Sequence, residues 1–226
     1  MAVALHAPCA PRVTIVIADD TPITREGLAR LIADECDLAV TGSAATGPEL
    51  RALIARQPPQ VLVMELMLRD DDGLALIKDL RELAPNLRIV VFTAQPEEVY
   101  ATRCLRAGAH AYVAKREPVT ALFRAIRETA AGGIVVPASV SGRVFAVPSP
   151  KDQAGRGIAA RLTNRELQVF RLAGLAQPTR VIAQKLGVSV KTIETHRENI
   201  KNKLDLDSHA ELVARAAQWL REHDGA

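Results

Sequence analysis

The sequence predicts an α/β domain with a doubly wound, five-stranded parallel sheet, followed by an all-α domain of four helices. Three observations predict it. Short apolar, β-branched runs alternate with helix-period segments through residues 11–132, and such alternation implies a parallel sheet covered by helices on both faces. The alternation stops in a Gly-, Pro-, Ser- and Ala-rich stretch, 133–160, and residues 161–224 continue with helical periods alone. Charge changes at the same places: 15 Lys/Arg against 17 Asp/Glu in 1–132, three against one in 133–160, and eleven against eight in 161–226. The acidic part and the basic part therefore do different work.

The strands of the first domain are expected at 13–18, 38–43, 60–64, 87–92 and 110–113; the first, third and fourth are apolar, buried-type runs and the other two are strand-like. Helices at 23–33, 48–56, 73–83, 97–107 and 119–130 carry apolar residues at three- and four-residue intervals. Right-handed crossovers then leave few topologies. In such a sheet functional groups gather at the carboxyl ends of the strands. Asp19 and Asp20 end the first strand, Glu65 the third and Thr93 the fourth, while Tyr112 and Lys115 belong to the fifth. Three carboxylates converging there form a hard-oxygen site suited to Mg²⁺. Lys115 and Thr93 opposite it suit the far side of a phosphoryl group.

Within the linker, 135–145 is expected as an extended stretch or short helix packed on the first domain, and 152–157 as its most mobile part. The second domain opens with Thr163-Asn164-Arg165-Glu166, a capping box that starts a helix running to about residue 174. Residues 178–204 then read as a short helix, a turn and a longer helix. Pro178 suits the first helical turn, Gly187 a left-handed cap and Ser189 the cap of the longer helix. Ile193, Ile200 and Leu204 give that longer helix one buried stripe, while Lys191, Glu194, Thr195, Glu198 and Asn202 lie elsewhere and are all polar. Six Lys/Arg against two Glu in 178–204 suit a phosphate backbone. This is the build of a helix-turn-helix whose second helix enters a major groove. A last helix, about 208–221, carries Leu212, Val213, Ala216, Ala217 and Leu220 on an apolar stripe. Trp219 reads as core or partial core.

The 48% hydrophobic and 24% charged content is that of ordinary globular protein. Cys9, Cys36 and Cys104 are odd in number and have neither metal-ligand nor disulfide-framework spacing. A reducing cytoplasm fits. The first eleven residues lack a basic signal-peptide start, and no apolar run approaches the roughly 20 residues that span a bilayer, so no membrane association is expected.

Residues 161–212 resemble the LuxR-type helix-turn-helix of NarL/FixJ-family response regulators. The resemblance rests on Leu162-Thr163-x-Arg165-Glu166, Ile182-Ala183, Leu186-Gly187-Val188-Ser189, Lys191-Thr192-Ile193, His196, Ile200, Lys203-Leu204 and Ala210-Glu211-Leu212, at the family's spacing without a gap. Ala176, Pro178, Val181 and Glu194 depart from the pattern. The contact set for DNA is then Arg180, Lys191, Thr192, Glu194, Thr195, His196, Arg197, Glu198, Lys201 and Lys203. In that family the last helix often forms the dimer contact, which the resemblance carries to Leu212, Ala216 and Trp219.

Residues 11–132 resemble the receiver of the same regulators, a flavodoxin-like fold. The matching motifs are Ile17-Ala18-Asp19-Asp20, the loop from Glu65 to Gly73, Val91-Phe92-Thr93-Ala94, and Gly108-Ala109-x-Ala111-Tyr112-Val113-x-Lys115. The resemblance implies Mg²⁺ ligation by Asp19, Asp20 and position 65, and a switch made of Thr93, Tyr112 and Lys115. It also implies an aspartate as phosphoacceptor where this chain has Glu65. The spacing to Gly73 is the family's, so no insertion hides another residue at that position. Arg69 replaces the usual proline of the loop, and Asp70, Asp71 and Asp72 are expected to face solvent or cap the next helix.

The expected function is that of a cytoplasmic, dimeric transcriptional regulator of two-component type that is not an enzyme. Its partners are double-stranded DNA and a sensor kinase or other regulatory protein. The receiver is expected to escape ordinary phosphorylation, with Glu65 standing in part for an aspartyl phosphate. Alternatives are a receiver locked off, a receiver switched by a ligand or a partner protein, a protein-interaction adaptor, and a metal-dependent phosphohydrolase built on Asp19, Asp20 and Glu65.

Overall fold

The computed structural model describes residues 12–68, 71–141 and 157–223. Five parallel strands lie in the order β2-β1-β3-β4-β5: β1 (Val13–Ala18), β2 (Leu38–Ala44), β3 (Val61–Met64), β4 (Arg88–Thr93) and β5 (Ala111–Ala114). The helices between and after them are α1 (Pro22–Ala33), α2 (Gly47–Arg56), α3 (Gly73–Leu83), α4 (Glu97–Ala107) and α5 (Val119–Ala130). Alternation along each strand separates two cores. Ile15, Ile17, Val61, Val63 and Val90 face one way with Leu28, Leu122 and Ile126 of α1 and α5. Val16, Ala18, Leu62, Met64 and Val91 face the other with Leu50, Leu76, Ile77 and Tyr100 of α2, α3 and α4. This two-sided burial explains why β1 and β3 read as continuous apolar runs, while the edge strand β2, LAVTGSA, is partly exposed and does not.

The first part of the expected linker is held. Val135 bridges to Ala111 at the edge of β5, and Val140 is buried. Residues 142–156, which include most of the segment expected to be mobile, lie outside the described residues. The last residues of the expected linker, 133–160, are helical: α6 (Ile158–Arg161) is a short helix that precedes the four expected ones. Those four are α7 (Asn164–Gly174), α8 (Thr179–Lys185), α9 (Val190–Leu204) and α10 (His209–His223). The capping box is complete, with Glu166 N donating to Thr163 Oγ1 and Thr163 N to Glu166 Oε2. Gly187 has φ +62°, as the turn between α8 and α9 requires. Among the described residues no helix is long and apolar enough to cross a membrane.

Candidate functional sites: the acidic pocket and the reading helix

The strand ends converge as expected. The Glu65 amide donates to the Ala18 carbonyl at 2.7 Å, and the Lys115 amide to the Thr93 carbonyl at 2.8 Å, so adjacent strands fix the starting points of these side chains. Asp19, Glu65 and Thr93 are buried. Lys115 Nζ lies 2.7 Å from Asp19 Oδ2 and 2.8 Å from Glu65 Oε2. The other Glu65 oxygen, Oε1, accepts from the Met67 amide at 3.0 Å and from the Thr93 hydroxyl. Asp19 Oδ1 accepts from the Thr21 amide at 2.8 Å. Burial works against the charge on Lys115, but the carboxylates of Glu65 and Asp19 outweigh it and raise its pKa.

Tyr112 is buried and its hydroxyl donates to the Gln95 carbonyl at 2.7 Å. The Gln95 amide in turn donates to Thr93 Oγ1 at 3.3 Å. Thr93 and Tyr112 thus share one loop, the turn into α4.

Mg²⁺ does not fit this arrangement. It needs oxygens free to approach to about 2.1 Å. Both oxygens of Asp19 and both of Glu65 already hold donors, and the Lys115 ammonium stands between the two carboxylates. Asp20 is only half-buried and lines a cleft of about 320 Å³ with Met67, Gln95 and Gln168. Among the described residues no three His, Cys, Asp or Glu are placed to hold a metal ion. The expected ligand set Asp19, Asp20 and Glu65 is therefore not assembled here.

The loop after Glu65 differs from expectation in one residue. Asp72 caps α3 through the amides of Leu74 and Ala75, as expected. Asp71 does not face solvent but forms an ion pair with Arg51 of α2 at 2.8 Å, and Arg51 also holds Asp79 at 2.9 Å. Asp70 and Arg69 lie outside the described residues. Gly73 is needed where it stands, since a Cβ there would fall 2.0 Å from the Leu66 carbonyl oxygen.

In the second domain Ile193 and Ile200 bury one side of α9, leaving Lys191, Glu194, Thr195 and Glu198 exposed on another, with Arg180 exposed on α8. The remaining expected DNA contacts are partly committed within the protein. Thr192 is bound into the Ser189 cap, through its amide at 3.1 Å and its hydroxyl at 2.8 Å. Arg197 Nη1 donates to Thr179 Oγ1 at 2.5 Å, tying α9 to α8. Lys201 pairs with Glu198 at 3.0 Å. Lys203 donates to both oxygens of buried Glu166, at 2.9 and 2.7 Å. His196 is half-buried, and burial, with Arg165 nearby, lowers its pKa.

Leu212, Ala216 and Trp219 are buried inside the domain, and Trp219 meets Phe170 edge to face at 6.2 Å between centroids. The core reading of Trp219 holds. The dimer contact carried over to these three residues does not, because α10 turns them inward onto α7.

Comparison with known proteins agrees with this division. The family described as "Response regulator receiver domain" matches residues 15–127, and "Bacterial regulatory proteins, luxR family" matches 160–216. The chain is 30% identical over 199 residues to the transcriptional activator protein ExaE of Pseudomonas putida, covering 88% of this chain and 93% of that one. It is 33% identical over 204 residues to the oxygen regulatory protein NreC of Staphylococcus haemolyticus, covering 88% and 94%. Among solved structures it resembles RcsB from Salmonella enterica bound to promoter rprA with phosphomimetic BeF3⁻. That likeness has a TM-score of 0.61 at 25% identity, over 91% of this chain and 98% of that one.

Proposed function

The chain belongs to the two-component response regulators that join a receiver to a LuxR-family DNA-binding domain, and we propose that its receiver is held by Glu65 in place of an aspartyl phosphate. The observation that carries this is the pair of contacts from one side chain: Glu65 reaches both Thr93 and Lys115. A phosphoryl group on an acceptor aspartate would need those same two partners. The extra methylene of glutamate supplies about 1.5 Å of reach. The same displacement makes it a poor nucleophile, since in-line attack needs placement within a few tenths of an ångström.

Glu65 supplies one negative charge where a phosphoryl group supplies about 1.5 to 2. The shift towards the active population is therefore incomplete but permanent, and no kinase is required for it. Downstream, a cytoplasmic dimer binds double-stranded DNA, with Lys191, Glu194, Thr195 and Glu198 of α9 reading base edges and Arg180 supporting them on the backbone. Two helix-turn-helix modules about one helical turn apart add their contacts. The protein acts by binding and not by turnover.

Selection from a randomised double-stranded pool tests this reading. Wild-type chain, given neither phosphodonor nor Mg²⁺, is expected to enrich two related half-sites and to bind them less tightly as salt rises. Enrichment of nothing, or binding only after phosphodonor is added, would contradict it.

A further inference from the structure

One receiver side chain, Arg103, reaches three acceptors of the DNA-binding domain. Arg103 lies on α4, and its Nη1 donates to Asn164 Oδ1 at 2.6 Å. Its Nη2 donates to the Leu162 carbonyl at 3.0 Å and to the Ala159 carbonyl. These acceptors stand at the end of α6 and the start of α7, the first described segment beyond residues 142–156. A helix leaves its last carbonyls without intrahelical partners, and the planar guanidinium fork satisfies two here together with the side chain of Asn164. Two further contacts flank it. Arg171 of α7 stands over the Tyr100 ring of α4 at 5.9 Å, and Gln168 Nε2 donates to Met67 Sδ at 3.1 Å.

What the receiver leaves uncovered matters as much. It holds the second domain by α6 and α7, while Lys191, Glu194, Thr195 and Glu198 of α9 stay exposed. Upstream, α4 begins two residues after Gln95, whose amide and carbonyl are bonded to Thr93 and Tyr112.

We propose that Arg103 is a positioning residue for DNA binding: it clamps the start of the DNA-binding domain to α4 so that the reading face of α9 points outward. The proposal rests on the reading that the chain binds DNA through α9 as a dimer. The clamp therefore promotes binding and does not block it. Its effect falls on two modules engaging together, because only then does the orientation of each on its receiver matter.

The test uses the full-length chain and a duplex with two half-sites that wild type selects from a randomised pool. Arg103→Ala should weaken binding to that duplex about five-fold or more, within the usual range of coupling between sites. Binding to a duplex with a single half-site should be unchanged. Amide exchange across 158–164 should accelerate while exchange in β1, β3 and β4 stays as in wild type. Asn164→Ala, which leaves the receiver untouched, should weaken two-site binding and accelerate exchange across 158–164 in the same way with single-site binding unchanged, and Arg103→Lys should restore wild-type behaviour only in part. Unchanged or tighter binding to the two-site duplex by both alanine variants overturns the clamp. An equal loss on single-site and two-site duplexes also overturns it, since that is a folding defect. If wild type selects no sequence, the DNA-binding reading itself falls and the clamp falls with it.

Discussion

Glu65 and Lys115 lie 2.8 Å apart, joined across the end of β4 from the ends of β3 and β5. That ion pair closes the pocket with the protein's own charges. It places a carboxylate oxygen against the ammonium on one side, while the second oxygen meets the Thr93 hydroxyl on the other.

Shortening this side chain should reopen the site to phosphorylation. Glu65→Asp withdraws the carboxylate by about one C–C bond, roughly 1.5 Å, and leaves room at Thr93 and Lys115. The variant is expected to take up label from a small phosphodonor with Mg²⁺ present, and wild type to show little. Stoichiometric phosphate on wild-type Glu65, identified by mass spectrometry, would end the stand-in account.

The reading face predicts a change of preference. Glutamate can accept from cytosine N4, and a good base contact is worth roughly 1–3 kcal/mol of discrimination. Glu194→Lys removes that acceptor from an exposed position on α9. The selected sequence should change and non-specific affinity should rise. An unchanged preference in a randomised-site selection would remove Glu194 from the face.

Lys203 should behave as a structural residue. Its ammonium neutralises Glu166, which is only 3% exposed and also completes the capping box of α7. Lys203→Ala leaves that carboxylate buried without its cation and is expected to cost about 2 kcal/mol of stability in the second domain. Denaturant unfolding decides it: unchanged stability with weaker DNA binding would return Lys203 to the phosphate contacts.

His110 gives the fold an acid sensitivity. The residue is 8% exposed, and Nδ1 accepts from the Ile89 amide at 3.1 Å. Burial, and then Arg88 and Arg81, push its pKa down to about 4. A depressed histidine pKa means that the unfolded chain binds the proton first. Stability is therefore lost as pH falls from about 6.5 towards 4, by about 2 kcal/mol at pH 5 relative to neutrality. His110→Gln, which keeps an acceptor, should flatten that part of the curve. An identical pH slope in the two proteins would show that other groups carry it.

How much of this was legible in the sequence depended on whether the partner was local. Strand faces, the Thr163–Glu166 box, the Ser189 cap and the left-handed Gly187 follow from spacing alone, and the structure has them. The meeting of Asp19, Glu65, Thr93 and Lys115 was legible because strand ends of a parallel sheet share one edge. The Lys203–Glu166 pair, the Arg51–Asp71 pair and the Arg103 clamp were not, since each joins elements whose relative placement no periodicity encodes. Arg103 reads in sequence as an ordinary polar position on an amphipathic helix. Trp219 carried two signals, a residue type that favours burial and a family role, and its burial against Phe170 agrees with the first.

The most direct measurement of the central claim is the DNA affinity of Glu65→Gln against wild type, on the duplex that wild type selects and without phosphodonor. Glutamine keeps the size of the side chain but removes the charge that meets Lys115 and the carboxylate that meets Thr93. The account predicts several-fold weaker binding, with Glu65→Asp similarly weak until it is phosphorylated. Glu65→Gln binding as tightly as wild type would contradict it.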